Sequence, residues 1–122
     1  MPNHAFPREV RLLTPEDYDQ VFKKPVRAGC NGMLVLARKN ELSHPRLGLI
    51  VPKKVLKQAV WRNRVKRLVR ESFRLSQDSL PNVDLVFLAK PGIGDLSNRD
   101  LTSALTRLWA QISRQLGKAR SS

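Results

Sequence analysis

The spacing of hydrophobic residues in the first third of the chain predicts a short helix followed by two strands. Thr14 can cap the helix, Pro15 suits its first turn, and Pro25 ends it. One apolar face is formed at helical spacing by Tyr18, Val21 and Phe22. Residues 26–30 and 33–38 then predict antiparallel strands joined by the turn-forming pair Asn31-Gly32.

The remaining pattern predicts two further strands and two longer helices. After a polar loop over residues 39–45, residues 47–51 form a third strand, and a long helix extends from about residue 58 to residue 76. The apolar run 83–89 is typical of a strand buried on both faces. A final helix begins at Ser97 or Asn98 and ends near Gly117. The order αβββαβα predicts one α+β domain over residues 1–122, in which we expect residues 1–10 and 118–122 to be flexible.

Composition narrows the class of partner. The chain has 122 residues, 41% of them hydrophobic, and a formal charge of +13 with a pI near 11.1. So basic a chain attracts polyanions: nucleic acid, an anionic membrane surface or an acidic protein. A single cysteine, Cys30, and the lack of a long apolar run indicate a cytoplasmic protein without a disulfide framework or membrane span.

The positive charge is concentrated in one segment. The 22 residues from Lys53 to Arg74 carry +8 of the +13, with Glu71 as the only acid among them. At 100° per residue, the apolar positions of the long helix fall on one side. The opposite side carries Arg62, Asn63, Lys66, Arg67, Arg70 and Arg74. Like charges four residues apart destabilise a helix, here by about 1 kcal/mol in all, so a solubilising surface would normally intersperse acids. The segment therefore predicts a polyanion-binding ridge, which Lys53 and Lys54 extend.

The aromatic residues have two possible roles. Tyr18 and Phe22 occupy positions that more often belong to a core, although an aromatic helix face beside a sheet could also stack unpaired bases. Trp61 and Trp109 are interpreted mainly as core residues. On the last helix Arg107, Arg114 and Lys118 form a weaker basic stripe, interpreted as a solvated face.

No catalytic or metal-binding constellation is recognisable. His4 and His44 have no neighbouring carboxylate cluster, and the acids at 16, 17 and 19 suit a helix N-terminus. The sequence around Gly92-Ile93-Gly94 lacks the elements of a phosphate loop. The residues thus predict no catalytic group and no metal site on this chain.

Three segments closely resemble the bacterial ribonuclease P protein subunit. The main one is residues 46–74, RLGLIVPKKVLKQAVWRNRVKRLVRESFR, whose core RNRVKR matches the signature helix of that family. The others are Arg11-Leu12-Leu13 with the aromatic helix face, and residues 84–92, DLVFLAKPG. All three occur in the family's order and span most of the chain.

The resemblance implies a fold and a role. The fold would be α+β, similar to the second domain of ribosomal protein S5, with a left-handed βαβ crossover, whereas general rules favour a right-handed one. The protein would join a catalytic RNA in a holoenzyme that removes the 5′ leader from precursor tRNA. Mg²⁺ bound mainly by the RNA would carry out the chemistry, with none held firmly by the protein, which we expect to be monomeric without RNA.

The resemblance also assigns residues. The RNA-facing positions are Lys53, Lys54, Arg62, Asn63, Lys66, Arg67 and Arg70, flanked by Arg64 and Arg74. Tyr18 and Phe22 match aromatic positions of a leader-binding cleft, and Leu36 falls near a strand position of that cleft. Lys24-Pro25 departs from the family, which often has glycine shortly after the Val21-Phe22 pair. Charge and element order alone also permit a ribosomal or RNA-chaperone protein, or a self-sufficient nuclease.

Overall fold

The computed structural model describes residues 10–117, which form three helices and one four-stranded sheet in the predicted order. The helices are α1 (Pro15–Phe22), α2 (Ala59–Ser76) and α3 (Asn98–Ile112), and α3 continues into a π-helical turn over Ser113–Gly117. The strands are β1 (Val26–Cys30), β2 (Met33–Lys39), β3 (Arg46–Ile50) and β4 (Val83–Ala89). Short 3-10 turns lie at Gln77–Ser79 and Ile93–Asp95. The α+β class is confirmed.

The sheet has the strand order β1-β2-β4-β3. β2 pairs antiparallel with both neighbours, whereas β3 and β4 are parallel and are connected through α2. The predicted βαβ unit is therefore present, and the left-handedness of its crossover stays a prediction. β3 is an edge strand, and the chain before α1 partly covers its free edge, where Leu12 N–H donates to the Leu47 carbonyl at 3.1 Å.

One face of the sheet packs against α2 and α3 and forms the main core. Alternate residues of β2 and β4 point to this side, among them Val35, Leu85 and Phe87, all fully buried. Between the helices, the Trp109 indole Nε1 donates to Ser72 Oγ at 2.8 Å, which satisfies both buried polar groups. The Phe73 ring meets Trp109 edge to face, with centroids 6.2 Å apart. The prediction that Trp109 belongs to the core is confirmed.

The other face of the sheet carries α1, and its side chains lie in three rows across β2, β4 and β3. The anchor row is Arg38, Asp84 and Arg46. The covered row is Leu36, Val86 and Gly48. The open row is Leu34, Leu88 and Ile50. Along the strands on this face, the anchor row is thus charged, the covered row is buried under α1, and the open row is half-exposed.

Both ends of α1 are fixed by local hydrogen bonds. Thr14 Oγ1 accepts from Asp17 N–H while the Asp17 carboxylate accepts from Thr14 N–H, a complete capping box. At the other end, the Arg38 guanidinium donates to the carbonyls of Gln20 and Lys23 at 2.9 and 3.1 Å. Lys24 then takes a left-handed conformation with φ of 49°. Helices often end in this conformation, and glycine is the residue that adopts it most easily.

One sequence expectation differs from the structure. The prediction that Trp61 belongs mainly to the core is wrong, since the residue is 47% exposed. Its angle on the helical wheel suits burial, but it lies in the first turn of α2, one turn before the first buried residue, Val65. The two-residue turn at Asn31-Gly32 forms as predicted, and of its two residues only Gly32 has positive φ, 89°.

The ends of the chain are only partly described. Val10 is 6% exposed and packs into the main core. Three expectations lie outside the described residues: the flexibility of residues 1–9 and 118–122, the environment of His4, and the contribution of Lys118 to the basic stripe. In the part of the chain that is described, no helix is long and apolar enough to cross a membrane.

Lys24→Gly is expected to raise the free energy of unfolding by about 0.5–1 kcal/mol, because glycine removes the left-handed strain. Urea denaturation measures the change. Lys23→Gly is the matched control: Lys23 has φ of −85°, where glycine relieves no strain and adds freedom to the unfolded chain. A Lys24→Gly variant no more stable than Lys23→Gly contradicts the assignment.

Candidate nucleic-acid interface

Charge interactions at the anchor row hold α1 against the sheet. Asp84 accepts two hydrogen bonds from Arg46, Nε at 2.9 Å and Nη2 at 2.7 Å, and a third from Asn40 Nδ2 at 2.8 Å. Arg46 Nη2 also lies 3.6 Å from Asp17 Oδ1 on α1. Strand β3, strand β4 and α1 therefore meet at one guanidinium, an interaction that the sequence patterns did not predict.

Two pKa shifts follow from this arrangement. The hydrogen bond to Asp84 raises the pKa of Arg46; burial opposes this rise, and the charges of Asp84 and Asp17 add to it. Burial raises the pKa of Asp17, but hydrogen bonds from the N–H groups of Leu13 and Thr14, together with the Arg46 charge, outweigh it and leave the pKa below its usual value. Both groups therefore stay charged at neutral pH and keep α1 in place.

Tyr18 lies directly over the covered row. A Cβ added at Gly48 would come within 2.6–2.7 Å of the Tyr18 ring, so glycine is required for this close approach. The ring is half-buried and, like the three residues of the open row, packs against the small buried cluster of Leu12, Val21, Leu36 and Val86. Tyr18 is thus at once part of a small core and part of the wall of a cleft, which are the two roles that its spacing allows.

The open row provides the accessible apolar floor of this cleft. Leu34, Leu88 and Ile50 are half-exposed, whereas Leu36 in the covered row is only 7% exposed and packs with Val21. Phe22, at the end of α1, is 44% exposed. Sequence reasoning missed the open row, although the alternation in β2 and the alignment of β2 with β4 would identify it once the register is known.

The outer face of α2 presents most of the predicted ridge to solvent. Asn63, Arg67 and Arg70 are exposed, and Lys66 and Arg74 are half-buried along its flanks. The opposite face is buried through Val65, Val69, Ser72 and Phe73. The predicted division of the helix into a packed and a cationic face is confirmed.

Two arginines of this segment bind protein groups. Arg62 Nη1 donates to the carbonyls of Leu56 and Lys57 at 2.9 and 2.8 Å, and so holds the loop before α2. Arg64 donates to Asn98 Oδ1 at 2.6 Å and to the Leu96 carbonyl at 2.7 Å, and so joins α2 to the start of α3. Both guanidiniums are held close to the body of the protein, with positions set by carbonyl and amide groups.

The loop between β3 and α2 adds further positive charge. Lys53 and Lys54 are exposed in a turn where the Pro52 carbonyl accepts from the N–H groups of Val55 and Leu56. At the α2 N-terminus, Gln58 provides no side-chain cap and the first turn contains no acid. The positive end of the helix dipole therefore adds to the charge of the two lysines.

A pocket of about 170 Å³ lies between Tyr18 and the basic helix. It lies over β3, with Gly48 and Leu49 in its lining, and it is bounded by Tyr18 on one side and by Lys66 and Arg70 on the other. Sequence patterns do not indicate that the aromatic and cationic groups share one pocket, because their positions are about fifty residues apart along the chain.

No group of three His, Cys, Asp or Glu side chains within residues 10–117 converges as a metal site requires. An ion-paired cluster lies instead at the N-terminal end of α1 and consists of Asp84, Asp17 and Arg46. Since Arg46 neutralises both carboxylates, this cluster does not fit a firmly held Mg²⁺ ion.

Comparison with known proteins gives one consistent family. Residues 6–113 match the family model named Ribonuclease P. The chain is 57% identical over 111 residues to the ribonuclease P protein component of Yersinia enterocolitica, covering 91% of this chain and 93% of that protein. It is also 57% identical over 112 residues to the corresponding protein of Aliivibrio fischeri, covering 92% and 96%.

Solved structures agree with these sequence relationships. The RNase P protein of Staphylococcus aureus superimposes with a TM-score of 0.78 at 26% identity, covering 86% of this chain and 95% of that one. The RNase P protein of Thermotoga maritima gives a TM-score of 0.75 at 29% identity, covering 84% and 96%. The fold of this chain is therefore similar to that of both proteins.

Gly48→Ala is expected to lower the free energy of unfolding by about 1–3 kcal/mol, because the new methyl group collides with the Tyr18 ring. In a Tyr18→Ala background the same substitution has room, and most of this loss should disappear. Urea denaturation of the four proteins gives the coupling energy. Gly29→Ala is the control, since its Cβ meets nothing nearer than 3.4 Å. Equal losses in both backgrounds would refute the contact.

Proposed function

This chain belongs to the ribonuclease P protein family, and on that premise we propose how its surfaces serve the ribonucleoprotein. As a family member, it is the protein component of ribonuclease P, a tRNA-processing endoribonuclease whose holoenzyme includes an RNA. In the proposal, the outer face of α2 docks on the catalytic RNA. The cleft between α1 and the open row holds the 5′ leader of precursor tRNA.

The charge and exposure of α2 support its role in docking. Folded RNA presents dense phosphates, and arginine binds phosphate through two hydrogen bonds of fixed geometry. Arg67 and Arg70 are exposed for such contacts, with Lys66 and Arg74 beside them, and Asn63 can bond a 2′-OH or a base edge. Arg62 and Arg64, held near the protein surface, add positive potential, and Lys53 and Lys54 extend it along the preceding loop.

The chemistry of the cleft suits an unpaired strand. Single-stranded RNA exposes base faces that stack on aromatic rings, and its phosphates need nearby cations. Tyr18 and Phe22 supply rings, the open row supplies an apolar floor, and Leu36 supports that floor from beneath α1. A paired acceptor stem keeps its base faces stacked inside the duplex, so the proposal predicts a preference for leader over duplex.

The single observation that carries the proposal is the pocket shared by Tyr18, Lys66 and Arg70. It brings Tyr18 and two cations of α2 to one pocket, which supports a path by which one strand stacks its bases on Tyr18 while its phosphates reach α2. A leader bound there would lie directly beside the docked RNA subunit. Holding the leader would favour precursor over the leaderless product.

The proposal assigns phosphodiester hydrolysis to the RNA subunit, with Mg²⁺ ions bound mainly by RNA polarising the reacting oxygens. The protein alone then binds without cleaving. Its charge of +13 disfavours self-association, so we propose a monomer when RNA is absent. The proposed location is the cytoplasm, in keeping with the free thiol of Cys30.

Arg67→Ala is expected to weaken assembly with the RNA subunit and to reduce the log-log salt slope by about 0.7–0.9 for each phosphate that the variant no longer binds. Filter binding at several salt concentrations measures both quantities. Arg107→Ala on α3 removes the same charge from another exposed position and should change neither much. If the two variants behave alike, the ridge does not dock on the RNA.

Phe22→Ala is expected to lower the affinity of the holoenzyme for leader-bearing precursor about tenfold, the order of one stacked base, while mature tRNA binds as before. Equilibrium binding of both RNAs gives the comparison. Leu42→Ala removes a hydrophobic residue of similar exposure, 41%, in the loop after β2 and should leave both affinities unchanged. Equal losses for precursor and mature tRNA would exclude a leader-specific cleft.

A further inference from the structure

An exposed tryptophan stands at the start of the basic helix. Trp61 is 47% exposed and Val60 beside it is 66% exposed, although large apolar side chains in a small charged protein are normally buried. Neither residue has a part in the proposed docking ridge or in the leader cleft. Such exposure in the middle of a cationic surface requires an explanation.

The indole is held in a defined environment. The guanidinium carbon of Arg64 lies 5.5 Å from the Trp61 ring centroid, in a cation–π contact. Arg64 cannot easily leave this position, because Asn98 Oδ1 and the Leu96 carbonyl accept its hydrogen bonds at 2.6 and 2.7 Å. One side of the indole is thus supported by a fixed planar group, while almost half of its surface remains accessible.

A surface depression of about 550 Å³ adjoins this pair. Its lining consists of Val60, Trp61, Asn63, Arg64, Arg67, Arg70 and Asn98. Every charged group in that lining is a cation, and the one acid of α2, Glu71, is ten residues from Trp61, about 15 Å along the helix axis. The depression therefore combines a flat aromatic surface, an amide and several phosphate-binding groups.

From this combination we infer that Trp61 and Arg64 form a stacking platform for one unpaired base of the RNA subunit. The base stacks on the indole surface that Arg64 leaves free, Asn63 is within the same depression to bond its edge, and Arg67 binds an adjacent phosphate. Neither an acidic peptide nor a lipid headgroup brings the flat ring that an exposed indole recognises best.

The position of the platform selects the RNA subunit over the precursor. Lys66 lines the pocket beside Tyr18, whereas Trp61 and Arg67 line the depression on another side of α2, and Arg70 borders both. A leader in the cleft and a base on Trp61 are therefore separated by the helix. This inference rests on the proposed docking of α2, and it adds a base contact to a surface otherwise defined by charge.

Titration of three variants with the RNA subunit tests the platform. The variants are Trp61→Ala, Trp61→Phe and the control Leu75→Ala. Leu75 is 72% exposed near the other end of α2. Trp61→Ala is expected to lower affinity about tenfold, Trp61→Phe at most about threefold, and Leu75→Ala not at all. Because no charge is removed, the salt slope should stay at the wild-type value in all three.

A spectroscopic readout separates stacking from a general packing effect. RNA binding should quench the wild-type tryptophan emission and protect it from acrylamide, and both changes should vanish in Trp61→Phe, where only the buried Trp109 remains. Quenching that persists in Trp61→Phe would overturn the inference. So would equal affinities of Trp61→Ala and Leu75→Ala for the RNA subunit.

Two further outcomes distinguish this inference from the proposal on which it rests. If Trp61→Ala assembles normally while Arg67→Ala does not, the platform is wrong and the docking surface stands. If neither variant affects assembly, docking through α2 is itself wrong. A loss seen only when the assembled holoenzyme binds precursor tRNA would assign the base to the substrate and overturn the choice of the RNA subunit.

Discussion

The carboxylate of Asp84 is the interaction on which the geometry of the cleft depends. It lies in a strand that is buried on both faces, and it is stabilised there by three hydrogen bonds from Arg46 and Asn40. Arg46 in turn contacts Asp17 of α1, while Arg38 of the same cross-strand row holds the other end of that helix. A helix of eight residues has little stability of its own, so this row of charges decides where α1 lies.

The position and direction of α1 then create the cleft. The helix runs across the strands along the anchor row and is about 10–12 Å wide with its side chains, whereas the seven residues of β4 extend about 23 Å, so α1 covers only part of the sheet face. The covered row is sealed, and the open row beyond it remains half-exposed. An apolar strip of this kind usually favours association, and it is tolerable in a chain of charge +13 because copies of the chain repel one another.

Most elements of the fold could be predicted from sequence, because helical spacing, capping residues and the apolar run of β4 each indicate local structure. The strand order and the three rows could not, since they depend on the pairing of β2 with β4 and of β3 with β4 over long separations. Trp61 shows the same limit within one helix. The helical wheel defines its angle about the axis, but its exposure depends on where along the axis the packing partner begins.

The candidate site was only partly predictable for a related reason. Charge spacing located the ridge, and the aromatic spacing located Tyr18 and Phe22, yet the spacing could not show that Tyr18 and Arg70 line one pocket. The spacing also could not show which basic residues form hydrogen bonds within their own chain. Arg62 and Arg64 bind carbonyls of their own chain, a distinction that depends on the loop before α2 and on the start of α3.

Those bonds of Arg62 and Arg64 affect the entropy of docking. An arginine side chain that is free in the unbound protein loses rotamer freedom when it binds, at a cost of about 0.5–1.5 kcal/mol. In this protein that loss has already occurred during folding for two residues of the first turns of α2. The helix therefore meets its partner with its first turns already rigid, and this end can set the register of docking.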